Sequence, residues 1–567
     1  MGDVYIEFAI SSYNSIAGTV DGSIEMDENP WASRECTVRP DAGEDDDDEM
    51  VDVWNPDRPL TDTISAFLGK DVGLPRRWLP HTSVTSMFWL MLAQCGLDLP
   101  ETGRCSQPPP GPSWSTFWNV WADTWRHYLR LRKTSMHAEC RTCFEARQRI
   151  HARGISVTQR LDYARQWRCH LRDQYHDRAI YWFCRYASRR RLGILTIIID
   201  SMDKAKFAWP QYPWERVNKD MDSFHRPRLV LTAAIAHGFG TFIFIADDQS
   251  VSHGSNAFCD VLLKVIEAVW EQCRRSGIKF PEHLVVQSDN TVAQAKNQYV
   301  TLFLAYLVSR YKFRTTNLFF LVVGHTHEDI DQLFGVILSL ILRRTKFQTA
   351  RHLMQLLRER LQARVQAKGE ELHVEKLTHI RDFSSWLEPA KIEMYNAFAN
   401  REGIEAPHAF TFKLRSDLTR LEQGMIRPTS RDAKGGALDV FCCVKTYMHS
   451  TTLQQPPVLV LPLVRQNLIV SRRPGEFEEV EPMDEKRASH LHDMAAFLRE
   501  EPYGLSEAAD DLETLIRGTP VPDLPPTPWL EEQLPAPAQA LTSTGNELFP
   551  HLPDTSWQLL VRFKNLQ

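Results

Sequence analysis

The sequence predicts an α/β fold, with a mixed five-stranded sheet flanked by helical regions and a small β unit, in a chain long enough for several domains. Three observations predict it. β-branched runs recur between Gly193 and His325, amphipathic stripes alternate with the later runs, and composition changes sharply outside that stretch. GILTIIID, Gly193 to Asp200, is continuously apolar, as a strand buried on both faces requires. LVLTAAIAHG and GTFIFIADD read as a hairpin turning at Gly238-Phe239-Gly240. Between Ser255 and Gly277, Phe258, Val261, Leu262, Val265, Ile266 and Val269 form a helical stripe that ends in Arg274, Arg275 and a glycine stop. HLVVQSDN (His283 to Asn290) is a fourth strand, TVAQAKNQYVTLFLAYLVSRY a second helix and TNLFFLVVGH (Thr316 to His325) a fifth strand. A last helix, capped by Thr326, buries Ile330, Leu333, Phe334, Ile337, Leu338 and Ile341. The order is β-β-β-α-β-α-β-α.

The flanks divide by composition. Residues 1–60 form an acidic arm too polar to offset its ordering entropy, and 61–190 a basic helical module with aromatics at helical spacing. Residues 191–345 hold the sheet, 346–425 a helical extension, 426–480 the small β unit, and 481–567 an acidic, proline-rich tail without a packed core. No apolar run approaches the roughly 20 residues of a membrane helix, and the first residues lack a signal pattern, so no membrane partner and an intracellular, nuclear location are expected. Eleven cysteines, an odd and scattered count, point to reduced thiols. The net charge of −6 hides an asymmetry: Arg126 to Leu192 holds 17 Lys/Arg against 5 Asp/Glu, an excess of 12 positive charges, as a polyanion-binding surface or a set of solvated helix faces would.

Acids fall where an α/β sheet gathers its ligands. Asp200 ends the first strand, Asp289 the fourth, and Glu328 lies in the first turn of the helix after the fifth. Hard divalent ions such as Mg²⁺ or Mn²⁺ take carboxylate oxygens, and two such ions roughly 3.5–4 Å apart clamp the attacking and leaving oxygens of a phosphoryl displacement. Asp331, one turn beyond Glu328, competes for the third position. Asn290, Lys296 and Asn297 open the helix after the fourth strand, where a lysine could meet a phosphate and an asparagine orient a carboxylate. His325 and His327 crowd the same strand end, as metal ligands, as hydrogen-bond partners of the carboxylates, as a general acid or base, or as parts of a capped turn with no chemistry.

IIIDSMDKAKFAWP, VVQSDNTVAQAKNQY and VGHTHEDIDQLFG together resemble transposon-derived eukaryotic open reading frames that carry a D-N-x5-K-N segment and a G-H-T-H-x-D-x-D box, and the element order resembles the ribonuclease H-like fold of DDE transposases and integrases. The likeness covers about Arg191 to Arg344. It implies metal-dependent phosphodiester cleavage or strand transfer on DNA, with Asp200, Asp289 and Glu328 or Asp331 as ligands of two Mg²⁺ or Mn²⁺ ions, His325 and His327 beside them, and homo-oligomerisation among the expectations. Arg189, Arg190, Arg191, Arg343 and Arg344 are the expected phosphate contacts. Two alternatives stand beside it: an inactive, domesticated DNA-binding or scaffolding protein, and a metallophosphoesterase using the GHTH box, whose companion boxes the chain lacks. Upstream, HAECRTC supplies Cys140 and Cys143, and with His170 and His176 these offer two thiolates and two imidazoles to a zinc ion.

Overall fold

A computed structural model gives the architecture. It describes residues 83–94, 112–123, 140–289, 295–321, 329–390, 407–426, 439–450 and 471–532, apart from isolated positions, together with the short strands 77–79, 129–131 and 458–461. The acidic arm and the end of the tail beyond 532 lie outside the described residues. The described residues fall into two compact units, one up to Ala179 and the other from Ile180 on. The first division falls inside a helix rather than after it, because Val157–Arg189 runs on unbroken into the second unit.

The described helices of the first unit are α1 (Val84–Gln94), α2 (Trp114–Asp123), α3 (Arg141–His151) and the larger part of α4 (Val157–Arg189). Their apolar faces share one core, with Met91, Phe117, Trp121, Ile150, Leu161 and Trp167 buried together. The positive charge of this segment is only partly on the surface. Arg178 is buried, and exposed Arg141 and Arg149 both bind Glu145, so the raw charge count overstates what a polyanion would meet.

The second unit is an α/β layer structure on a mixed sheet. In chain order its strands are β1 (Ile194–Met202), β2 (Leu229–Ala236), β3 (Gly240–Asp247), β4 (His283–Ser288), β5 (Thr315–Phe320), β6 (Glu371–Leu377), β7 (Ala409–Leu414), β8 (Val440–Lys445) and β9 (Val458–Leu461). Among the described residues the sheet has nine strands in the order β9-β8-β7-β5-β4-β1-β2-β3-β6. The five expected strands are its contiguous centre, with β1, β4 and β5 parallel and β1, β2 and β3 antiparallel.

Three expectations about the flanks are corrected. The helical extension contains two strands, because the alternation Phe410, Phe412, Leu414 buries every second residue against the sheet and β6 pairs alongside β3. Strands β8 and β9 continue the main sheet through β7 instead of closing a separate unit. The tail is packed up to Glu531: α9 (Glu485–Arg499) buries Leu491, Met494, Ala495 and Leu498, α10 (Ser506–Arg517) buries Ala508, Ala509, Leu512 and Leu515, and Trp529 is inserted beneath the sheet's opposite face. Acidic and proline content masked an i, i+3, i+4, i+7 stripe.

Helices cover both faces. Leu195, Ile197 and Ile199 of β1 face a core shared with α5 (Ser255–Ser276) and α6 (Gln298–Ser309). Ile198 and Met202 face the other core, shared with α7 (Asp329–Ile337), α8 (Ala350–Gln366), α9 and α10. Each such isoleucine, essentially removed from water, contributes about 1.5–3 kcal/mol. The β2–β3 hairpin turns through Gly238 at φ 78°, where a Cβ would also lie 2.7 Å from the Arg189 Cα, so glycine is required twice over. Helix α5 ends at Gly277, whose left-handed backbone caps it. Among the described residues no helix is long and apolar enough to cross a membrane.

Candidate metal centre

The side-chain parity of β1 decides where Asp200 goes. Residues 198, 200 and 202 share one face of a strand, and Ile198 and Met202 are buried on the α7 side, so Asp200 faces that helix. Across the parallel ladder, Ile199 is in register with Ser288, which sets Asp289, the next residue, beside Asp200 on a strand about 4.8 Å away. Helix α7 packs Ile330, Phe334 and Ile337 onto the same face and brings Asp331 in its first turn. Three carboxylates, drawn from two neighbouring strand ends and one helix, therefore lie on one side of the sheet, near enough for the Asp331 and Asp289 charges to act on Asp200.

The charges of the other two reach Asp200. Its carboxyl is pushed up to about 7, first by burial, with the Asp331 and Asp289 charges adding to it and a hydrogen bond from the Ser201 N–H (2.7 Å) opposing. A group of this kind favours either a proton or a cation. The donor set suits a hard divalent ion: carboxylate oxygens, a half-exposed Asp331 and an exposed Asp289 open to solvent. Asp203 takes no part, since its side chain accepts from the Ala205 N–H at 3.0 Å and caps the short turn Lys204–Phe207.

Two residues from Asp331, the chain builds a different acid site that sequence reasoning missed. Asp329 accepts from the Tyr181 hydroxyl at 2.9 Å, and its other oxygen lies 3.4 Å from the Arg185 guanidinium and 3.2 Å from His237 Nε2. Burial works against ionising Asp329, but the His237 ring, Arg185 and Tyr181 outweigh it and hold the carboxyl at about 2. His237 is fully buried, which lowers its pKa well below the ordinary value with the Asp329 charge opposing, and among the described residues its Nδ1 finds no hydrogen-bond partner. The end of α4 is tied to the sheet at the same place, by Ser188 donating to the His237 carbonyl and accepting from the Thr196 N–H. Tyr181 and Asp329 are 148 residues apart, and no local spacing announces the pair.

The other predicted residues are placed as follows. Glu328, His325, His327 and Asn290 lie outside the described residues. Asn297 caps α6, accepting from the N–H groups of Tyr299 and Val300. Lys296 is buried with its ammonium 5.3 Å from the Phe320 ring centre, and burial lowers it to about 8, which is not the setting of a solvent-facing phosphate contact. Arg189 lies 3.9 Å from Glu370, exposed Arg191 stacks on Phe239 and donates to the Gly238 carbonyl, and Arg190, Arg343 and Arg344 are exposed. In the first unit, Cys140, Cys143 and His170 converge. His176 does not join them: on an unbroken helix a residue six positions on lies about 9 Å further along the axis and turned to another face.

Residues 219–424 match a family model described as a domain of unknown function, DUF7869. No curated protein matches the chain. The crystal structure of the MID-PIWI domains of the N. crassa Argonaute QDE-2 is similar at 11% identity over 51% of this chain and 88% of that one, with a TM-score of 0.15, too slight a likeness to carry an argument.

Proposed function

We propose that the second unit is a ribonuclease H-like, metal-dependent polynucleotidyl transferase core acting on DNA phosphodiesters, in the manner of transposases and integrases. One observation carries the reading: Asp200 and Asp289 stand at the carboxyl ends of adjacent parallel strands with Asp331 in the first turn of the helix packed on that face, and burial, with the two neighbouring charges adding to it, raises the Asp200 pKa to about 7. The strand and helix order, three antiparallel strands and then two parallel ones with helices between, also agrees with it.

Asp200 and Asp289 would hold Mg²⁺ or Mn²⁺, with Asp331 approaching from the helix side. When bound, such ions supply Lewis acidity at an attacking water or 3′ hydroxyl and at the departing oxygen. The protein's own share is positioning: β1 and β4 fix two carboxylates in register, and the Asp329 anchor fixes α7 and so the third. Exposed Arg190, Arg343 and Arg344 are available to phosphates and would orient DNA rather than read its sequence.

The test is nicking or joining of a labelled DNA duplex by the purified chain. Activity is expected only with Mg²⁺ or Mn²⁺, and Asp200→Asn and Asp289→Asn should each reduce it to background with the circular dichroism spectrum unchanged. Cleavage that survives both substitutions, or that persists in chelator, overturns the assignment. DNA affinity should fall steeply with added salt, and a flat response removes DNA as the substrate.

A further inference from the structure

We infer that the first unit binds a zinc ion through Cys140, Cys143 and His170, and that this ion fastens α3 to α4. The site lies in a different unit from the carboxylates and does not depend on the reading given to them. Among the described residues these three offer donor atoms that all lie within 4.8 Å of one another. The Cys140 Sγ to His170 Nε2 distance is 3.4 Å. A tetrahedral zinc, with Zn–S of about 2.3 Å and Zn–N of about 2.0–2.1 Å, has an S···N edge of about 3.5 Å, so the two side chains already stand at coordination distance.

The local sequence builds the cradle. Cys140 is the residue before the first turn of α3 and Cys143 lies within that turn, so C-x-x-C sets both sulfurs at one helix end; the Cys140 contact and burial raise the Cys143 thiol, so the metal-free pair keeps protons that a zinc ion would displace. Opposite, Trp167 and His170 are three residues apart on α4 and share a face. His170 meets Cys140, while the Trp167 indole N–H donates to Cys143 Sγ at 3.4 Å, the kind of outer hydrogen bond that orients a metal-bound sulfur. Both cysteines are buried in the unit's apolar core and the histidine is half-exposed, leaving a path for the ion. Two thiolates and one imidazole select a borderline-soft, tetrahedral ion, and among the described residues no fourth donor joins them. In a unit with so small an apolar core, such an ion contributes folding energy directly.

The experiment is metal analysis of the full chain expressed in zinc-supplemented medium and purified without chelator. About one zinc per chain is expected, lost in Cys143→Ser and His170→Ala and kept in His176→Ala. Exchange with Co²⁺ should give a sulfur-to-cobalt charge-transfer band in the wild type. Because the variants could unfold, the wild type supplies its own control: stripping zinc with chelator should lower Tm and expose Cys140 and Cys143 to alkylation, and zinc alone should reverse both. Wild-type chain without zinc, zinc content unchanged in His170→Ala, or a Cys140–Cys143 disulfide in the reduced cytosolic preparation would overturn the inference.

Discussion

Asp329 and Asp331 stand two residues apart on helix α7 and meet opposite surroundings. Asp329 turns toward a histidine, an arginine and a tyrosine hydroxyl, and is held ionised at about 2. Asp331 lies on the side of the sheet that holds Asp200, whose carboxyl burial pushes up to about 7 with the Asp331 and Asp289 charges adding to the shift. The first arrangement lowers the free energy of the fold as it stands. The second leaves a buried carboxyl that takes up either a proton or a cation, and perturbed groups of this kind cluster where the charge serves a ligand. One helix turn thus carries both an anchor and a candidate functional acid.

The sharpest way to break this contrast is to remove each charge in turn, with chelator present. Asp329→Asn removes the carboxylate that Arg185, His237 and Tyr181 all meet, and removing one partner of a buried pair costs about 3–5 kcal/mol. Asp331→Asn removes a repulsion and should leave the stability unchanged or slightly higher. Urea denaturation measures both, and equal losses in the two variants would erase the distinction between anchor and ligand.

A divalent cation sharpens it further. If the three carboxylates hold Mg²⁺ or Mn²⁺, the ion at 100 times its dissociation constant should add about 2.7 kcal/mol to wild-type stability. The gain should survive Tyr181→Phe, which weakens only the anchor by about 1–3 kcal/mol, and should vanish in Asp200→Asn. A thermal shift with Mn²⁺ that persists in Asp200→Asn would place the cation elsewhere.

Much of this was legible in the chain, and the boundary of what was legible is physical. β1 to β5 could be read because each is a dense apolar run whose ends carry turn or cap residues, and the positions of Asp200 and Asp289 followed from where those runs stop. The outer strands were harder. HVEKL in β6 is largely solvated at a sheet edge, and its charges read as helix. The zinc spacing was misread at His176 because a sequence gap does not say whether a helix continues through it. The anchor could not be read at all: Tyr181, Arg185, His237 and Asp329 come from three separate segments, and only the folded sheet brings them together.

The two acids also separate by the sign of their pH dependence. For Asp329 the folded pKa of about 2 lies below the ordinary value of 3.8, so its stabilisation is present above about pH 4 and is lost as pH falls toward 2. For Asp200 the folded pKa of about 7 lies above that value, so between about pH 4 and 7 the folded chain keeps a proton that the unfolded chain has released. Its contribution is therefore greatest below pH 4 and is lost as pH rises to 7. The windows adjoin and the slopes oppose. In chelator, Asp200→Asn should flatten the decline in stability between pH 4 and 7 while leaving the acid limb intact, and Asp329→Asn should do the reverse. Saturating Mn²⁺ should flatten the same pH 4 to 7 decline in the wild type, because a bound cation takes the place of the proton on Asp200. A wild-type decline that Mn²⁺ does not touch would mean that Asp200 is held up by burial alone and that its neighbours do not share a cation with it.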